Sequence, residues 1–118
     1  MKKFLAVFMM AFAVSIAHTQ TTNPHSVTLT WTAPADATAA STVTIFRALG
    51  ACNVATPPTT VLATGQSMTT PYVDSTVSIG VYCYTIQHDL NGANSANSNL
   101  APATVSPLPV VNVTVTVK

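Results

Sequence analysis

Residues 80–88 read GVYCYTIQH, and their reading decides the fold. Tyr82, Tyr84 and Ile86 occupy alternate positions, so in an extended chain they share one face while Cys83 points to the other. An aromatic-rich row of period two, opened by Gly80, predicts a β-strand with one face in a core. A helix would need apolar residues at spacings of three and four. No such period runs long enough in the body of the chain to compete.

The same pattern recurs outward in both directions. Upstream, SVTLTWTAP (26–34) alternates Val27, Leu29 and Trp31 and stops at Pro34, and TVTIFRA (42–48) supplies Val43 and Ile45. TTVLATG (59–65) closes on Gly65, and TTPYVDSTV (69–77) centres on Tyr72. Downstream, SNLAPATVS (98–106) carries Leu100. Its Pro102 suits an edge strand, because proline cannot donate to a ladder on both sides. Six short strands separated by turn-formers predict a β-sandwich. Trp31, Val43, Ile45, Tyr72, Tyr82, Tyr84 and Ile86 are expected to be buried together between its sheets.

Composition narrows the function. A chain of 118 residues holds one domain. Lys2 and Lys3 precede an apolar run, and Ser15 and Ala17 stand at the small-residue positions a signal peptidase reads, so residues 1–17 are predicted to be a cleaved signal peptide. The run is shorter than the roughly 20 apolar residues of a spanning helix. After cleavage the domain would span 18–106 with a tail at 107–118, in a secreted or cell-surface protein with no membrane contact of its own. Its charged residues would be Arg47, Lys118, Asp36, Asp74 and Asp89, with no Glu. So few cations do not neutralise a run of phosphates, which argues against nucleic acid and anionic membrane surfaces as partners. The polar surface is hydroxyl and amide rather than ionic.

The tail, PLPVVNVTVTVK (107–118), alternates Val111, Val113, Val115 and Val117 with Asn112, Thr114 and Thr116. This is the pattern of a half-buried strand, and an apolar row of that kind must dock or become an aggregation hazard.

Taken together, the strands resemble the fibronectin type III family, of the variety found in secreted bacterial proteins. The resemblance runs from about residue 26 to 106 and rests on VTLTWTAP, VTIFR, PYVDSTV and YCYTI in that order. It implies an immunoglobulin-like β-sandwich of about seven strands with Trp31 at the core. It also implies that Tyr82 is a corner tyrosine whose hydroxyl bonds to backbone just upstream. Two features depart from the family. Residues 18–25, HTQTTNPH, are polar and broken by Pro24, so the family's first strand is missing; and the tail looks like the first strand of a following domain.

In the family topology the first and last strands run the same way. The tail would therefore begin roughly 25 to 30 Å from the pole where a first strand starts, whereas residues 106–109 reach only about 14 Å. Three arrangements stay open: a hairpin on the chain's own last strand, an inverted fit into its own first-strand position, or donation to the next molecule. Donation repeated head to tail would build a filament.

Cys52 and Cys83, an even count in an exported chain, predict a structural disulfide. On the family alignment Cys83 faces away from the core, and Cys52 turns back over that face just after the preceding strand. Cleavage after Ala17 would expose His18 as a terminal residue, and with His25 or His88, and Asp89 beside the latter, a copper brace is the one metal site to weigh. The resemblance is not to copper enzymes, and no cofactor or metal is expected. Asp36, Asp74 and Asp89 are the only carboxylates available for acid–base work, and Asp74 falls where the family places a turn-forming Asp. No serine lies in a GxSxG turn, so no enzyme is expected.

The function expected is therefore a non-catalytic extracellular structural or adhesive module, which self-assembles head to tail if Val111, Val113, Val115 and Val117 are donated rather than docked on their own domain. The alternative is a monomer binding a glycan or protein through the loops APADATAAS (33–41) and HDLNGANSANS (88–98).

Overall fold

A computed structural model describes residues 23–118. The signal peptide assigned to residues 1–17 and the terminal His18 of the copper reading lie outside the described residues. The stretch that opens at Gly80 and carries Tyr82 and Tyr84 forms the longest strand, and the others arrange themselves around it. In chain order the strands are β1 (Val27–Leu29), β2 (Thr42–Leu49), β3 (Val61–Ser67), β4 (Tyr72–Asp74), β5 (Gly80–Leu90), β6 (Ala93–Asn94) and β7 (Ala101–Val105). The described residues contain no helix.

Two antiparallel sheets face each other. One consists of β1 and β4, with Val27 opposite Asp74 and Leu29 opposite Tyr72. The other runs β3-β2-β5, and β5 carries both β6 and β7 on its far side. Val43, Ile45, Tyr82 and Tyr84 point inward from the larger sheet and meet Leu29, Met68, Val77 and Val105. The chain is thus an all-β sandwich, compatible with an immunoglobulin-like arrangement. Pro102 sits in β7, which pairs with β5 alone, so its missing N–H interrupts no central ladder.

Three residues expected in the core depart from that expectation. Trp31, Tyr72 and Ile86 pack against the core but are only partly buried. The smaller sheet has two strands against the larger sheet's five, so its flanks leave inward-facing side chains incompletely covered.

The seventh strand also arises differently from expected. Residues 88–98 were expected as a loop, but β5 continues to Leu90 and turns back into β6 through Asn91 (φ 51°) and Gly92 (φ 80°). Two consecutive positive φ angles at Asn-Gly make the two-residue hairpin turn whose twist suits antiparallel strands.

The tail forms no strand. Val111, Val113, Val115 and Val117 are 70, 76, 82 and 87% exposed, so the expected burial of this row does not occur within the chain. Neither self-docked arrangement is present. Small, proline-interrupted β7 offers a poor ladder and little apolar surface on its free edge, and Asn112 bends the tail at φ 57°.

Candidate functional site

The smaller sheet holds the least finished part of the molecule. Val27, Leu29 and Trp31 alternate inward along β1 and its continuation, yet among the described residues β1 pairs with β4 alone. The opposite edge of β1 therefore presents unpaired N–H and C=O groups beside incompletely covered apolar side chains.

At the upper end of that edge lies a cleft of about 150 Å³ whose walls include Trp31, Pro34, Val43, Met68, Ile86 and His88. The Trp31 indole N–H is already spent on the Met68 carbonyl oxygen at 2.8 Å, which fixes the ring and leaves its apolar surface to the cleft. His88 Nε2 lies 2.9 Å from Ser41 Oγ. Ser95 Oγ accepts the His88 N–H at 2.9 Å, and Ser98 Oγ accepts the Ile86 N–H at 3.0 Å. Apart from the Thr32 hydroxyl, the side-chain polar groups of these walls are thus bonded within the domain.

The lower half is held by a polar bridge that alternation of hydrophobic residues does not reveal. Arg47 shares the inward parity of Val43 and Ile45 on β2 and stands opposite Tyr84 of β5. From there Arg47 Nη1 donates to Asp74 Oδ2 at 2.7 Å, and the Tyr84 hydroxyl donates to the same oxygen at 2.9 Å. Asp74 Oδ1 accepts from the Thr76 N–H at 3.0 Å and the Thr76 hydroxyl at 2.6 Å. The Asp74 side chain is fully buried, so these four bonds replace its water.

Burial alone would raise the Asp74 pKa, but the bonds from Thr76, Arg47 and Tyr84 outweigh it and hold the carboxyl below its usual value. Burial, and then the bond to Asp74, push the Tyr84 hydroxyl well above its ordinary value, so it remains a donor. Asp74 does make the local turn bonds expected of it. Its larger role, joining β4 to β2 and β5 across the sandwich, had one sequence signal: a lone Arg at an inward position facing one of only three carboxylates.

Tyr82 accepts the Ser78 N–H at 3.0 Å, the upstream backbone bond of a corner tyrosine, and the Arg47 guanidinium lies 5.5 Å from its ring centre. Cys52 and Cys83 are bonded, with Cα atoms 5.0 Å apart, and Cys83 lies on the β5 face opposite Tyr82 and Tyr84. Such a bond is compatible with an oxidising compartment.

The carboxylates do not converge. Asp74 is committed to the bridge, Asp89 accepts from the Thr44 hydroxyl at 2.6 Å, and Asp36 is an exposed loop residue. Asp36 Oδ1 does lie 3.8 Å from His88 Nδ1, completing a row of Ser41, His88 and Asp36. In an open site that order activates a nucleophile. Here Ser41 is buried, its Oγ accepts the Thr38 N–H at 2.9 Å, and it forms no part of the cleft wall, so the row ties loop 33–41 to β5. Among the described residues no group of three or more His, Cys, Asp or Glu side chains is placed to hold a metal ion.

No protein-family model, curated protein or solved structure matches the chain. The site is read from its own geometry. It combines an open β-edge, an apolar cleft at its upper end, and an uncovered valine row on the same chain. Backbone pairing and apolar burial are what such parts can do, and a strand supplied to the β1 edge would provide both.

Proposed function

We propose that this protein is a secreted, non-catalytic β-sandwich module of the fibronectin type III kind, with a structural or adhesive role outside the cell. It joins head to tail by donating its C-terminal strand. The strand order supports the family reading: β1 and β4 in one sheet and β3, β2, β5 and β7 in the other are what the resemblance implies once its first strand is removed. The lysine-led apolar segment 1–17 and the Cys52–Cys83 bond support export.

The observation that carries assembly is the coexistence in one chain of a β1 edge with no partner among the described residues and an exposed row of Val111, Val113, Val115 and Val117. Burying four valines is worth at most about 6 to 12 kcal/mol, against roughly 8 to 16 kcal/mol for ordering eight residues. A strand therefore docks only where ladder hydrogen bonds and completion of a core add to the gain. The β1 edge offers both.

Sedimentation of the mature protein over a range of concentrations tests this. Concentration-dependent oligomers are expected, and they should vanish when residues 110–118 are deleted. A synthetic 110–118 peptide should then bind the truncated subunit and hold it as a monomer. A full-length protein that stays monomeric at every concentration would refute the assembly reading and leave the loops 33–41 and 88–98 as the surface to probe with glycans and proteins.

A further inference from the structure

If the strand is donated, the geometry assigns the apolar cleft beside Trp31 a specific occupant: we propose that it receives Pro109 from the tail of a second copy, and that this insertion sets the register and direction of the donated strand. The inference rests on the assembly reading above and adds the receiving pocket to it.

The direction follows from where the parts lie. β7 ends at Val105, opposite Gly80, so the tail leaves at the Gly80 end of β5. The cleft stands at the other end, where Trp31 meets Ile86, His88 and Ser95. Eight residues of β5 separate the two levels, about 26 Å in an extended strand, while residues 106–109 span about 14 Å. A chain therefore cannot place its own Pro109 in its own cleft. A copy stacked with its Gly80 end over this molecule's Trp31 end can, and its tail then enters beside Trp31 and runs down antiparallel to β1. From Pro109 to Lys118 is nine steps, about 30 Å, which carries the strand along β1 past Val27 and returns Lys118 to solvent. The contact is heterologous and does not close on itself, so each added copy presents a fresh cleft.

The residue follows from parity and chemistry. Pro109 lies on the same face as Val111, Val113, Val115 and Val117, and Leu108 lies on the other. Proline has no N–H to give to the β1 edge, so it belongs where the ladder stops and an apolar surface begins. The cleft supplies that surface: the Trp31 N–H is spent on Met68, His88 Nε2 lies against Ser41 behind the wall, and Ser95 and Ser98 are bonded to β5, which leaves the Thr32 hydroxyl as its one side-chain polar group without a hydrogen bond among the described residues. A polar ligand such as a sugar would find few free partners there. An apolar space of about 150 Å³ accepts a benzene-sized group, and a pyrrolidine ring is smaller.

Trp31 is the only tryptophan, so its fluorescence reports directly on the cleft. The experiment uses the full mature chain, following oligomer size and Trp31 emission together against concentration. Emission should shift to shorter wavelength along the same curve as assembly. Pro109→Asp should raise the concentration of half-assembly by about a hundredfold or more, because it places a charge in an apolar pocket. Leu108→Asp, of opposite parity, should change it by less than about threefold. The tail touches no strand of its own domain, so neither change threatens folding. Assembly with unchanged Trp31 emission and equal tolerance of both substitutions would overturn the cleft assignment while leaving strand donation intact. Absence of any assembly would instead refute donation itself.

Discussion

The sheet built on β2 and β5 and the sheet built on β1 and β4 differ in how far the chain satisfies their backbones. In the larger sheet β2 pairs with β3 on one side and β5 on the other, β5 pairs with β2, β6 and β7, and the outer edge carries a proline. In the smaller sheet two three-residue strands pair, among the described residues, only with each other, which leaves the other edge of β1 without a described partner. A sheet of two short strands is marginal in isolation. This one persists because it is tied to the larger sheet at two levels: by hydrophobic contact through Leu29 above and by the Asp74 bridge below. The comparison teaches that stability and openness are divided between the sheets. The larger sheet has central strands β2 and β5 paired on both sides and ends on β3 and β7, whereas among the described residues both strands of the smaller sheet are edges, and the anchors hold it while leaving β1 available.

Breaking the lower anchor should have the largest effect. Asp74→Ala strands the Arg47 guanidinium and the Tyr84 hydroxyl without their shared acceptor, and loss of about 3 to 5 kcal/mol is expected in urea unfolding. A loss under about 1 kcal/mol would mean that the smaller sheet is held by apolar contact alone. The same bridge has an acid signature. Because the folded Asp74 pKa is depressed, its contribution is fully present above the unfolded carboxylate value near pH 4 and is lost as pH falls from there toward the folded value. Stability of the parent should therefore fall through that window more steeply than stability of Asp74→Ala.

What could be read from the sequence follows the same division. Alternation in β2 and β5 gave the strands and the inward set Val43, Ile45, Tyr82 and Tyr84, because in strands paired on both sides burial tracks parity. For Trp31, Tyr72 and Ile86 parity gave the direction but not the depth of burial, which depends on how wide the opposite sheet is. Alternation does not reveal the inward role of Arg47, because hydropathy ranks a charge as outward, whereas its partner lies on a strand 27 residues away. The Asn91–Gly92 dipeptide carries the hairpin signal, but the Asn-, Ser- and Ala-rich run around it has no apolar alternation to mark a returning strand. Parity in the tail described a surface but not its partner, since a strand pattern says nothing of which chain supplies the ladder.

An intermediate effect should come from the disulfide, and it should separate the two sheets. Its loop spans 31 residues, so reduction removes about 3 to 4 kcal/mol in the chain-entropy model. The Cys83 sulfur lies on the outer face of β5, away from β1 and from the cleft. Urea unfolding of the Cys52→Ser/Cys83→Ser protein should therefore show lowered stability, while its half-assembly concentration, measured under folding conditions, should match the parent's. A large change in assembly would show that the larger sheet is not independent of the open edge.

The smallest effect should come from Asn112, and it bears on why the tail is free. Asn112 holds φ at 57°, a conformation that asparagine tolerates and a β-branched residue resists, and this bend interrupts the valine row. To lie along β1 the tail must straighten at that residue. Asn112→Val removes the tolerated alternative and raises strand propensity, a combined bias of about 0.5 to 1 kcal/mol toward the extended form. If straightening precedes pairing, half-assembly should occur at a concentration two- to fivefold lower, roughly the same free energy expressed as an equilibrium. Asn112→Gly should act in the opposite sense, because glycine visits positive φ freely and has more conformational freedom to lose. Folding stability of the domain should be unchanged in both variants, since residue 112 touches no strand. Should Asn112→Val weaken assembly, the bend would belong to the docked form, and the tail would meet the β1 edge as two short segments rather than one continuous strand.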